Sequence, residues 1–111
     1  MIELRKNVVN LTPHIVSIVK NDGTVIKFPP SGTIARVFTD YVTRGSLNGI
    51  DLVDTVLGGV FDLPPPRRHT TYIVSRMVLN ASHKRWDLVV PHDLIRGHNG
   101  EILGARCFAR R

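Results

Sequence analysis

A single cysteine, Cys107, is the chain's whole supply of thiol, so an internal disulfide and a cysteine-rich zinc site are excluded. The residue reads as a small buried apolar group near a strand end. Aromatic residues make up only 6%, which leaves little stacking surface for a single-stranded nucleic acid. Histidines are present, but His14, His69, His83, His92 and His98 never fall at the i, i+3 or i+4 spacing of a zinc-binding pair. No nucleophile stands beside a base with its orienting carboxylate, and no pair of acids suits general acid–base work. Neither an enzyme nor a cofactor is therefore expected. No apolar run approaches the roughly 18 residues that span a bilayer. The opening MIELRKNVVNLT carries Glu3 and no signal-peptide hydrophobic region, so a cytoplasmic protein without a membrane partner is expected.

Acid is scarce as well. Nine Asp and Glu against fifteen Lys and Arg give a net charge of +6, and the distribution is uneven. Between positions 37 and 66 four acids (Asp40, Asp51, Asp54, Asp62) face Arg44 alone, a local −3. From 67 to 86 there are five bases (Arg67, Arg68, Arg76, Lys84, Arg85) and no acid. Such concentration raises the local potential and draws anions; the plain alternative is that excess Arg and Lys keep the chain soluble. At 111 residues, 42% hydrophobic and 22% charged, the chain is one globular domain over 1–111.

The rest is organised around residues 71–91. Thr70-Thr71-Tyr72-Ile73-Val74 is a β-branched and aromatic run suited to a strand. Ser75 ends it as an N-cap. Val74, Met77, Val78 and Ala81 then share one helical face, with Arg76, Asn80 and His83 opposite. Trp86 to Val90 is a second apolar run, which Pro91 closes by removing a backbone donor. Neither run alternates cleanly, which suits strands covered on both faces. Free N–H groups at Ser75 beside Arg76, Asn80, Lys84 and Arg85 would make a pocket for a phosphate or carboxylate. The competing reading is an ordinary capped helix with a solvated basic face.

The flanking chain reads as hairpins. Residues 3–9 suit an opening strand, interrupted at Asn10-Leu11-Thr12-Pro13-His14, where Thr12 is held extended by Pro13. Residues 15–19 and 25–28 flank Asp22-Gly23, a strong hairpin signal. After Pro29-Pro30-Ser31-Gly32, residues 33–39 read as a strand in which Arg36 is exposed or aimed into a site. Residues 41–48 read as a loop or added strand with a mobile Arg44-Gly45-Ser46 tip. Residues 50–57 and 60–63 flank Gly58-Gly59, a second hairpin signal. Pro64-Pro65-Pro66 is stiff and delivers Arg67-Arg68-His69 as a basic rim. Residues 94–96 pair with 102–104 across Gly97-His98-Asn99-Gly100, and residues 106–111 are a fraying tail. The expected class is α+β: mostly antiparallel β-hairpins, as a small sheet or partly closed barrel, with one short helix between two central strands.

The chain resembles a group of small proteins encoded by tailed phages and prophages. The resemblance rests on Asn10-Leu11-Thr12-Pro13-His14, on Pro30-Ser31-Gly32-Thr33 with Ala35-Arg36-Val37, and on Tyr72-Ile73-Val74-Ser75 with Asp87-Leu88-Val89-Val90-Pro91 and Asp93. The basic Pro66-Arg67-Arg68-His69 departs from that group. The resemblance implies action in the host cytoplasm, as a sponge for a nucleotide immune signal or as a blocker of a host defence complex. The candidate ligand-binding set is Asn10, Thr12, His14, Ser31, Arg36, Arg67, Arg68, Tyr72, Ser75, Arg76, Asn80, Lys84 and Arg85. A non-catalytic, homo-oligomeric nucleotide binder is favoured; an inhibitor meeting an acidic host protein, and a nucleic-acid-binding accessory protein, stay open.

Overall fold

In the computed structural model, which describes residues 6–111, Thr70–Ile73 (β6), Arg76–Ala81 (α1) and Leu88–Arg96 (β7) form the expected strand–helix–strand unit. Ser75 caps α1, its hydroxyl accepting the Val78 N–H at 3.3 Å. The helix returns the chain so that β6 and β7 run parallel, with Tyr72 beside Leu88 and Ile73 beside Val89, as a crossover helix requires. Strand β6 and the start of β7 are buried on both faces. Tyr72, Val74, Leu88 and Val90 pack with Val78 and Leu79 of the helix and with Leu11 and Ala35. Ile73 and Val89 point the other way, into a second cluster with Val16, Ile18 and Ala105.

That second cluster is the inside of a curled sheet. Asn7–Asn10 (β1) lies parallel to β6, and Ile102–Ala109 (β8) antiparallel to β7. Val16–Val19 (β2) meets β8 in parallel at Ile18 and Ala105, and Val25–Phe28 (β3) closes an antiparallel hairpin on β2. The order is β1-β6-β7-β8-β2-β3. The edges β1 and β3 come back toward each other, so the sheet is nearly closed. Three of its five pairings are parallel and two antiparallel, so the expected mostly antiparallel hairpins are matched only in part. Only the chain-adjacent pairs β2/β3 and β7/β8 can be joined by tight turns. At the first of these Asp22 accepts the Thr24 N–H at 2.9 Å, which lowers the pKa of its carboxyl group.

The remaining strands, Arg36–Leu47 (β4) and Ile50–Phe61 (β5), form a separate two-stranded ribbon. Its root, Val37 and Val60, packs on the helix-side core, and the rest stands clear as an arm. The turn is Asn48-Gly49, both with positive φ (51° and 80°), the conformation that makes Asn-Gly the favoured two-residue hairpin turn. Gly58-Gly59, expected as the turn, lies within β5, where the register slips between Val37 and Thr39. A Cβ on Gly58 would stand 2.9 Å from the Phe38 carbonyl oxygen, so glycine here permits a bulge. Arg44-Gly45-Ser46 likewise lies within β4 at a second register shift and is no tip.

Four further expectations change. Strand β7 continues through Pro91, because β6 pairs only as far as Val89 and beyond it the missing N–H faces no partner strand. Arg106-Cys107-Phe108-Ala109, expected in the tail, belong to β8. Cys107 is exposed, since β8 there runs past its single pairing with β2. Met77 is 47% exposed, while Leu79 takes the buried place beside Val78. Of the expected opening strand, residues 3–5 lie outside the described residues.

Candidate functional site

The Asn10 side chain is 2% exposed and fully engaged. Its amide donates to the His14 carbonyl at 2.7 Å and the Phe28 carbonyl at 2.9 Å, while its oxygen accepts from the Thr12 N–H and hydroxyl. The Ser31 N–H completes the seam by donating to the Asn10 carbonyl. Asn10 and Thr12 therefore tie the end of β1 to the end of β3 and latch the curled sheet. Ser31 makes a local turn with Thr33. The His14 ring is exposed on the rim of an apolar hollow also lined by Ile15, Leu94 and Leu103.

The other expected residues divide along the chain. Arg36 opens β4 beside Phe61, remote in sequence from the helix. Arg67 and Arg68 are exposed, and their carbonyls, not their guanidinium groups, are used, accepting from the Thr70 N–H and hydroxyl. Tyr72 is buried, its hydroxyl donating to the Pro65 carbonyl at 3.3 Å. Ser75 is spent on its cap. Arg76 and Asn80 are exposed on a helix of six residues, too short to gather much positive dipole at its front.

Arg85 is held at the helix's far end. It forms a two-pronged ion pair with Asp87, Nε to Oδ1 and Nη2 to Oδ2, each 2.8 Å, with the Asp87 side chain wholly buried. The Tyr72 ring lies beneath the guanidinium, 6.0 Å from its carbon to the ring centre. Hydrogen bonding to Asp87 raises the arginine's pKa, with burial pulling the other way. Of five guanidinium N–H groups the pair uses two, leaving three held in a fixed direction.

Two open cavities share this arginine. One, of about 260 Å³, is lined by Leu79, Arg85, Trp86, Leu88, Arg110 and Arg111. The other, of about 370 Å³, is bounded by Val60, Ala81, Ser82, His83, Lys84 and Arg85. Arg111 reaches His83, Nη2 to Nδ1 at 2.6 Å, which makes that ring nitrogen the acceptor. The Lys6 ammonium sits 5.8 Å over the Trp86 ring, and Trp86 itself is 63% exposed. Lys6, Arg85, Arg110 and Arg111 thus stand around one tryptophan, Lys84 lines the neighbouring cavity, and among the described residues no Asp or Glu side chain lines either. Ser82 Oγ, beside them, is buried with no hydrogen-bond partner among the described residues.

Of the residues at these two cavities, Lys84 and Arg85 belong to the set expected from the sequence; Lys6, Trp86, Arg110 and Arg111 do not. The pairing of Val90 with Ala109 brings the basic pair at 110–111 to the start of β7, and only the strand register reveals that. Among the described residues no three side chains of the metal-ligating kinds converge, and no helix is long and apolar enough to cross a membrane. Comparison with protein-family models, with curated proteins and with solved structures finds no match to this chain.

Proposed function

We propose that the protein is a non-catalytic binder of a nucleotide-type anion, which it holds at the C-terminal end of α1. The phosphate would meet Arg85, Arg110 and Arg111, and the base would lie against Trp86. The observation that carries this reading is the convergence of those three arginines on one cavity whose other wall is an exposed tryptophan. Arg85 is the fixed donor, since Asp87 sets its plane before any ligand arrives; a planar guanidinium so oriented suits bidentate phosphate recognition. Trp86 offers a π-face to any base. On this reading the ligand is held and released intact; among the described residues the one side-chain partner of the His83 ring is Arg111. Acting as a sponge, the protein lowers the free concentration of a nucleotide signal. A phage-encoded antagonist of host defence would work in this way.

Trp86 is the chain's one tryptophan, so its fluorescence reads this cavity and no other. Titration with mono-, di- and cyclic nucleotides is expected to quench it saturably and to return the ligand unchanged on mass spectrometry. The paired change Arg110→Ala and Arg111→Ala is expected to weaken binding by about tenfold or more, as loss of charge-assisted hydrogen bonds at 1.4 kcal/mol per decade implies. Arg76→Ala is expected to leave it unchanged, which separates this cavity from the helix front. Unaltered fluorescence across the series would overturn the proposal.

A further inference from the structure

Beyond its root, the arm made of β4 and β5 is covered by none of the described residues. Its register places Val42, Leu47, Ile50, Leu52 and Val56 on one face of the ribbon, and they are 45% to 70% exposed. A two-stranded ribbon is marginal in water when it stands alone, neither of its edges pairs with another strand among the described residues, and so many exposed apolar side chains on one face mark an interaction surface. The body has a matching feature. An apolar hollow of about 260 Å³ lies among β2, β7 and β8, lined by Ile15, Leu94, Ile102 and Leu103, all of them more than 40% exposed.

We infer that the arm of one copy docks in the hollow of a second copy. Charge selects this partner. Residues 38–58 carry Asp40, Asp51 and Asp54 against Arg44, a net −2, so the rest of the chain's +6 amounts to +8. Arm against arm would bring like charges together, whereas arm against body joins opposite ones. The contact uses different surfaces on the two copies, so it propagates head to tail and closes into a ring where the rotation allows. It does not depend on the anion site, because none of these residues lines the cavities at Arg85.

Light scattering on the eluting wild-type protein at micromolar concentration is expected to give a mass above that of one chain. Ile50→Asp on the arm and Leu103→Asp in the hollow should each give a monomer, with far-ultraviolet circular dichroism unchanged. Mixed together, these two variants should recover a complex of two chains, because one supplies an intact hollow and the other an intact arm. Arm-to-arm pairing gives no such rescue. A wild-type monomer, an Ile50→Asp variant that still assembles, or a mixture that stays monomeric would each overturn the inference. Should Leu103→Asp unfold the body, Ile102→Ser is put through the same mixing test.

Discussion

The body and the arm are held by different physics. In the body, strands as short as four residues (β1, β2, β3 and β6) are fixed because both faces of β6 and of the start of β7 are buried. The arm has two strands of twelve residues and buries almost nothing beyond its root. Its shape comes from a local turn, cross-strand pairs such as the exposed Arg44–Asp54 bridge at 2.8 Å, and two register shifts. The radius of gyration of 17.0 Å, against roughly 13 Å for a compact chain of about this length, records how far the arm departs from the body. The two regions thus divide the work: the body buries the apolar surface that supplies stability, and the arm leaves exposed the surface inferred above to dock on a second copy.

If that division holds, the largest losses of stability come from buried polar groups of the body. Arg85→Ala removes the only side-chain partner, among the described residues, of a carboxylate that is wholly inside. An uncompensated buried charge costs about 3–5 kcal/mol, so chemical denaturation should show a loss in that range. The double change Arg85→Ala with Asp87→Asn should recover most of it. A loss under about 1 kcal/mol would place the pair with ordinary surface bridges and blur the contrast between the regions. The result also bears on the anion site. Arg85 is part of the frame, so its removal is a poor probe of binding, and Arg110 and Arg111 are the better ones.

Next in size is Asn10→Ala. Two carbonyls and the Thr12 N–H lose their partner at once, each at roughly 1 kcal/mol, so about 2–3 kcal/mol is expected. Hydrogen exchange should open first along β1 and β3, the edges that Asn10 latches, and leave the protection of the arm unaltered. Uniform loss of protection across arm and body together would mean that they unfold as one unit.

The sequence pattern was informative where a residue's own chemistry determines its structure. Ser75 caps the helix it was expected to cap, Asp22-Gly23 turns the chain where expected, and the unalternating runs are covered on both faces over 70–74 and 87–90, whereas Trp86 is exposed. It misled where two local signals competed or where a partner decided. Gly58-Gly59 read as the turn and Arg44-Gly45-Ser46 as a tip, yet Asn48-Gly49 makes the turn, because Asn and Gly both accept positive φ, and Gly58-Gly59 serves as a bulge. Pro91 would end a strand with neighbours on both sides, but nothing in the local sequence says that β6 stops short of it. The basic set expected at the front of the helix is split: Arg76 stays apart, Arg85 shares a cavity with Arg110 and Arg111 through a strand pairing, and Lys84 lines the neighbouring one. Asn10 was a candidate ligand; its four hydrogen bonds to backbone and Thr12 make it a latch instead.

The smallest expected effect tests the comparison most directly, because it uses the same substitution in both regions. Val90 in β7 is 3% exposed and Val56 in β5 is 52% exposed, and both are strand valines. Val90→Ala takes two methyl groups out of a packed layer, a change worth about 2 kcal/mol through lost transfer energy and residual cavity. Val56→Ala removes the same atoms from a surface that water already reaches, and within the monomer it should change stability by no more than about 0.5 kcal/mol. The assembled protein should reverse that order of concern: Val56→Ala should weaken association without moving the monomer's denaturation midpoint, whereas Val90→Ala should lower the midpoint and leave association intact in the folded fraction. Equal shifts from the two valines would mean that the arm is packed in the free monomer after all, and the separation of a stabilising body from a docking arm would fail at its root.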